Sequence, residues 1–150
     1  MKTLYKIFTS EAKANELRSS NIFPGDIIIS KMGDPVARCC IMPLEDDRYL
    51  MASDGIRLAI DQTKYEINFV THQINYDIFR KCALEVSNGS TRKRIGLDDL
   101  RKLSFCKPCL GEQKKIGEFL RLLDTKLVAS RSTIDNTIYF KQGILQQMFV

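Results

Sequence analysis

From residue 112 to residue 148 the apolar positions return every three or four residues, and no proline interrupts them. That period predicts one amphipathic helix. Ile116, Leu120, Leu123, Leu127, Ile134, Ile144 and Met148 share one heptad seam, the pattern by which two helices pack knobs into holes. Ser130, Thr137 and Lys141 interrupt the seam in its second half, where Ile138, Leu145 and Phe149 form a second apolar stripe beside it. A straight helix drifts against a seven-residue repeat, so two stripes that exchange roles suit a site where more than two helices meet. Thirty-seven residues at about 1.5 Å each make a rod of roughly 55 Å. A helix beyond about 25 residues is more often a coiled coil than a wall of its own domain, and this one suits a spacer with a partner. Gly117 and Gly143 interrupt it at a cost of about 1 kcal/mol each relative to Ala, and read as points of close approach.

Ahead of the rod the period shortens to that of strands. Residues 10–20 predict a short helix with Ser10 as N-cap and a weak apolar face of Ala12, Ala14 and Leu17. The turn Phe23-Pro24-Gly25-Asp26 launches a β-branched run over residues 27–32, a buried strand. Gly33-Asp34-Pro35 then reverses the chain, so that residues 36–42 return antiparallel to the first strand. Residues 44–49 are acidic and polar, a loop; residues 50–53 and 56–60 are two short strands around Asp54-Gly55. From residue 68 to residue 83 the period becomes helical again, through Phe69, Ile74, Ile78, Phe79 and Cys82, with Arg80-Lys81 at the end the helix dipole favours for cations. Residues 97–103 make about two helical turns, and residues 104–106 one further strand before Pro108 and Gly111. The fold class is α+β: a small, mainly antiparallel sheet with covering helices, then one long C-terminal helix of coiled-coil type.

Length and composition change this picture little. One hundred and fifty residues suit one domain and one extended element. The longest apolar runs are too short for a membrane span and residues 1–10 lack a signal-peptide core, which places the chain in the cytoplasm with no membrane contact. Five cysteines are an odd number for a disulfide framework in such a compartment. Cys106 and Cys109 have the spacing of a zinc knuckle, but no second pair exists and the single histidine, His72, is distant in sequence, so no metal site is expected.

Charge changes the picture more. Residues 1–75 hold nine Lys and Arg against ten Asp and Glu, whereas residues 76–150 hold fourteen against eight. Residues 80–107 alone carry Arg80, Lys81, Arg92, Lys93, Arg94, Arg101, Lys102 and Lys107 against Glu85, Asp98 and Asp99. A concentrated basic segment ahead of a rigid rod points to a polyanion, most simply nucleic acid. Within it, residues 87–96 combine Gly89, Ser90 and Thr91 with Arg92, Lys93 and Arg94. Small hydroxyls and exposed amides approach phosphates closely, and arginine also reads guanine through two parallel hydrogen bonds. The hairpin tip adds Lys31 and Arg38. No nucleotide-binding glycine motif, amino-methyl-transfer motif or metal-cleavage cluster is present, and one histidine leaves most acid-base triads unavailable. The chain is read as a binding protein without a catalytic set or a cofactor.

The order of these features resembles the specificity subunit of type I restriction-modification systems. The resemblance rests on Gly25-Asp-Ile-Ile-Ile-Ser-Lys-Met-Gly-Asp-Pro35, Ala52-Ser-Asp-Gly-Ile-Arg-Leu58, Gly89-Ser-Thr-Arg-Lys-Arg-Ile95, Glu112-Gln113 with Lys115-Ile-Gly-Glu-Phe-Leu-Arg-Leu-Leu-Asp124, and Gly143-Ile-Leu-Gln-Gln-Met-Phe149. The most specific of them is the Glu-Gln-x-x-Ile-x-x-Phe-Leu-x-x-x-Asp stretch. The resemblance implies a non-catalytic DNA-recognition protein, with a target-recognition domain over residues 1–108 and a conserved dimerisation and spacer helix over residues 109–150. Family members resemble two such units whose helices pair antiparallel, bound to DNA-methylating (modification) subunits, with restriction subunits joining them. This chain carries one unit, has less sheet ahead of the Gly25 hairpin than the family usually does, and reads Pro108-Cys-Leu-Gly-Glu-Gln113 where the family usually reads Pro-Leu-x-x-Gln. The recognition domain is therefore expected to be incomplete at its start.

A homodimer through the helix follows from the half-length, using Ile116, Leu120, Leu123, Leu127, Ile134, Ile138, Ile144, Leu145 and Met148. Two copies would read an inverted repeat in double-stranded DNA through Lys31, Arg38, Gly89, Ser90, Thr91, Arg92, Lys93 and Arg94. The alternative is an assembly module that pairs by its helix and reads no DNA.

Overall fold

The computed structural model describes residues 8–90 and 92–149. Helix α1 (Glu11–Glu16) is capped by the Ser10 hydroxyl, which accepts from Lys13 N at 3.3 Å. A 3-10 turn (Arg18–Ser20) then delivers the chain into β1 (Asn21–Ile22), so the helix expected over residues 10–20 is shorter than its sequence pattern. Residues 23–26 turn as expected: the Asp26 carboxylate accepts from Phe23 N at 2.9 Å and from Arg57 Nε at 2.6 Å, and the Arg57 guanidinium lies 4.8 Å from the Phe23 ring centre.

The sheet is built on β2 (Ile27–Ser30), the central strand, with β3 (Cys39–Ile41) and β5 (Gly55–Leu58) antiparallel on either side. Ile27 faces Ile41 and Leu58, and Ile29 faces Cys39 and Ile56. Alternation buries Ile27 and Ile29, while Ile28 points to the other face and is half-buried. Both strands of the expected hairpin are shorter than the runs 27–32 and 36–42, because the reversal between them is not a tight turn. It contains a cis Asp34–Pro35 bond, a left-handed Ala37 with φ of 60°, and two wholly buried side chains, Val36 and Ala37. The tip is thus anchored in the core. The strand expected over 50–53 is β4 (Tyr49–Leu50), which pairs with β1 in a separate two-stranded sheet.

The helix expected over residues 68–83 is two helices, α2 (Ile67–Asn75) and α3 (Asp77–Glu85), separated by an extended Tyr76 with ψ of 139°. Asn75 spends its amide on the sheet edge: it accepts from Cys39 N at 3.1 Å and donates to Cys39 O at 2.9 Å. Asp77 then suits the first turn of a new helix. Phe69, Val70 and Ile74 of α2 are buried in one core with Ile27, Ile29, Val36, Ile56 and Ile95. Helix α4 (Leu97–Lys102) matches its expectation, but residues 104–106 form no strand. Side chains hold that stretch instead: Phe105 packs on Tyr65 at 6.4 Å between centroids, and Lys107 Nζ lies 4.6 Å from the same ring. Helix α5 (Leu110–Met148) then runs unbroken for 39 residues, about 58 Å.

Candidate nucleic-acid interface

Three loops meet at one end of the sheet. Lys31, just after β2, is their junction: its N–H donates to Asp54 O at 2.7 Å and its C=O accepts from Ile95 N at 2.9 Å. Its ammonium donates to Ser53 O at 3.2 Å, so this cation helps to tie the loops. The third loop is closed by a reciprocal pair, Asn88 N to Arg94 O at 2.9 Å and Arg94 N to Asn88 O at 2.8 Å. Gly89, at φ of 107°, is the residue that makes this closure possible, since a Cβ there would stand 2.5 Å from Arg92 O. The fully buried Ile95 seats the loop on the core.

The loops enclose a cleft of about 700 Å³. Ser30, Met32, Gly33 and Asp34 line it from the hairpin, Asp54 from the β4–β5 turn, Leu84 from α3, and Ser90, Arg92 and Lys93 from the closed loop. Arg94 Nη2 is paired with Asp54 Oδ1 at 3.0 Å, whereas Arg92 and Lys93 are exposed and make no ion pair with a described residue. Arg38 lies over the left-handed Gly33, with Nη2 3.4 Å from where a Cβ would sit. Of the residues singled out in the sequence, Lys31, Arg38, Gly89, Ser90, Arg92, Lys93 and Arg94 are therefore brought to one end of the molecule, and Thr91 lies outside the described residues. Asp34 and Asp54 were not singled out. Their only sequence signal is position in a turn, and nothing local marks Asp54 as the partner of an arginine forty residues on. Among the described residues no group of three or more His, Cys, Asp or Glu is placed to hold a metal ion.

The rod is fixed to the globular part over about its first four turns. Gln113 is wholly buried: its Oε1 accepts from Glu66 N at 3.1 Å, and its Nε2 donates to Pro108 O at 2.9 Å and Lys64 O at 3.3 Å. One turn later Gly117 is buried against the Glu66 side chain that caps α2, and Ile116 packs on the core of its own globular part. His72 Nε2 and Asp124 Oδ2, 3.3 Å apart, make the last described polar link. Leu120 is half-buried near this joint. Leu123, Leu127, Ile134, Ile138, Ile144, Leu145 and Met148 are exposed, from 38% at Ile144 to 68% at Met148. No described helix is long and apolar enough to cross a membrane.

The family model described as "Type I restriction modification DNA specificity domain" matches residues 2–139. No curated protein matches the sequence. Among solved structures, the crystal structure of the HsdS subunit from Thermoanaerobacter tengcongensis superposes with a TM-score of 0.62 at 16% identity, over 84% of this chain and 33% of that one. The chain thus spans about a third of that subunit's length, and at this identity the likeness concerns the fold.

Proposed function

From the premise that this chain belongs to the type I restriction modification DNA specificity family, we propose that it is a DNA-recognition unit that works as a dimer. Residues 1–108 act as the target-recognition domain, and residues 109–150 as the helix that pairs two copies and docks DNA-methyltransferase subunits, with restriction subunits joining that assembly in the cytoplasm. The chain itself supplies no chemical step. The observation that carries the reading is the convergence of the cationic loop 88–94, the hairpin tip and the Asp54 turn on one cleft of a globular part joined to a rod whose apolar seam is bare from Leu123 onward.

The seam supports a second copy of this chain in an antiparallel arrangement. At 3.6 residues per turn, Leu123, Leu127, Ile134, Ile138 and Leu145 continue the stripe that Ile116 and Leu120 begin. Its first part is covered by the globular part of the same chain, so a partner helix finds free seam only from Leu123 onward. A parallel pair in register would bring two globular parts to the same few turns, whereas an antiparallel pair places them at opposite ends. Leu122 and Phe140, exposed by 47% and 71%, lie about 130° round the helix from that stripe. This second apolar side suits the methyltransferase subunits.

Selection from a randomised pool of duplex DNA at two salt concentrations, with mass followed by light scattering, tests the proposal. A dimer that enriches an inverted repeat of fixed gap is the expected result. A dimer that binds no DNA, or binds it only in a salt-sensitive and sequence-blind way, would replace the reading by the assembly module that uses the same helix.

A further inference from the structure

The three consecutive cations of the closed loop are not equivalent, and we infer that Arg94 reads a guanine while held in place by Asp54, a positioning residue, and that Arg92 and Lys93 bind phosphates. This deepens the DNA-reading proposal and rests on it. The backbone of Arg94 is fixed on both sides, by its two hydrogen bonds with Asn88 and, one residue on, by Ile95 N to Lys31 O. Its guanidinium is then fixed by a single carboxylate oxygen, Asp54 Oδ1, at 3.0 Å from Nη2. Asp54 is itself immobilised, because its carbonyl accepts from Lys31 N at 2.7 Å. One ion-pair contact at Nη2 leaves the other donors of the fork, enough for two parallel bonds to the O6 and N7 of a guanine.

Charge decides between base and phosphate. A phosphate on Arg94 would sit beside the Asp54 carboxylate and be repelled by it, whereas a guanine edge carries no net charge and meets only an oriented donor pair. Arg92 and Lys93 are the reverse: they lie within the tip of the loop, exposed and in no ion pair with a described residue, which suits contacts that need charge and tolerate loose geometry. If the Asp54–Arg94 pair were only a structural tie between two loops, neutralising Asp54 would change stability and leave base preference alone.

The test is the selection described above, repeated with Asp54→Asn, Arg94→Lys and the double variant Arg92→Gln, Lys93→Gln. Wild type is expected to enrich a guanine at one position of each half-site. Arg94→Lys keeps the charge and loses the fork, so preference at that position falls about tenfold with an unchanged salt slope. Asp54→Asn keeps the backbone contact to Lys31, loses the same preference, and binds unselected DNA no more weakly. The double variant keeps the guanine, weakens binding to every sequence, and lowers the slope of log affinity against log salt by about two per half-site. Sequence selection by wild type with guanine preference intact in Asp54→Asn and Arg94→Lys, or lost only in the double variant, overturns this inference and leaves the DNA-reading proposal standing. Failure of wild type to bind DNA removes both.

Discussion

Gly117 on the long helix lies against the Glu66 carboxylate, which accepts from Phe69 N at 2.6 Å and so caps α2. A Cβ at residue 117 would also stand 2.9 Å from Phe69 N. The two helices therefore meet at a point where only a hydrogen fits. Gly117→Ala is expected to push α5 off α2 and disturb the cap, a loss of about 1–3 kcal/mol. Gly143, in contrast, has nothing within 4 Å of its notional Cβ, and Gly143→Ala should stabilise the isolated chain by about 1 kcal/mol through helix propensity. Urea unfolding at concentrations where the chain is monomeric reads both; equal effects of one sign would contradict the close approach.

Gln113 anchors the same joint by a different force. Replacing it by Leu removes the partners of Glu66 N, Lys64 O and Pro108 O around a side chain that is itself wholly buried. Each group left unpaired there costs up to about 1–3 kcal/mol, least where water can reach it. Gln113→Leu should therefore be more damaging than its hydrophobicity suggests, and hydrogen exchange at Glu66 should speed up. Unchanged protection of that amide would show that the side chain does not hold the turn.

A charge in the bare seam tests the pairing. Leu127, Ile134 and Ile138 are exposed by 55%, 58% and 48%, so Leu127→Asp with Ile134→Asp leaves the fold of the monomer intact. Buried in a helix pair, two carboxylates would cost several kcal/mol. Light scattering is expected to show monomer at concentrations where wild type is dimeric. Dimers of undiminished strength would place the interface elsewhere.

Cys39 differs from the other thiols. Burial first, and the neighbouring Cys40 second, push its pKa from the ordinary 9.0 up to about 12, against the Asn75 and Arg80 side chains that pull it down. A thiol that ionises later when folded leaves stability untouched below pH 9; above it, the unfolded chain releases its proton first and stability falls as pH climbs towards 12. Iodoacetamide at pH 8 should modify the exposed Cys40, Cys82, Cys106 and Cys109 and spare Cys39 until the chain is unfolded, as peptide mass spectrometry can follow. Equal labelling of Cys39 would show that the edge of the sheet opens.

The elements that announce themselves by period were legible in the sequence: the rod, the isoleucine strand, the α2 segment and the antiparallel character of the sheet. Those set by contacts distant in sequence were not. β1 is two residues long and pairs with residues nearly thirty positions on, too short to carry a period. The break at Tyr76 follows from Asn75 turning to Cys39, a partner no helical pattern reveals. Ile116 and Leu127 look alike in a heptad, yet the first packs on its own core and the second faces outward, since periodicity marks an apolar position without naming what covers it. The same limit hid Gln113, a polar residue that pattern assigns to solvent and that the fold buries completely. In the cleft, the cations stood out by composition, whereas the acids that shape it are ordinary turn residues whose neighbours come from other loops.

The closure of the third loop by Asn88 and Arg94 has an evolutionary corollary. The two reciprocal hydrogen bonds and the buried Ile95 insulate the rest of the molecule from whatever is carried between them. Apart from Gly89, whose backbone the loop requires, the exposed Ser90, Arg92 and Lys93 form an exchangeable cartridge: they can be rewritten without repacking a core residue. A lineage under pressure to change how tightly it grips DNA would find its cheapest mutations there, while the preferred base, read from Arg94 in the clasp, stays the same.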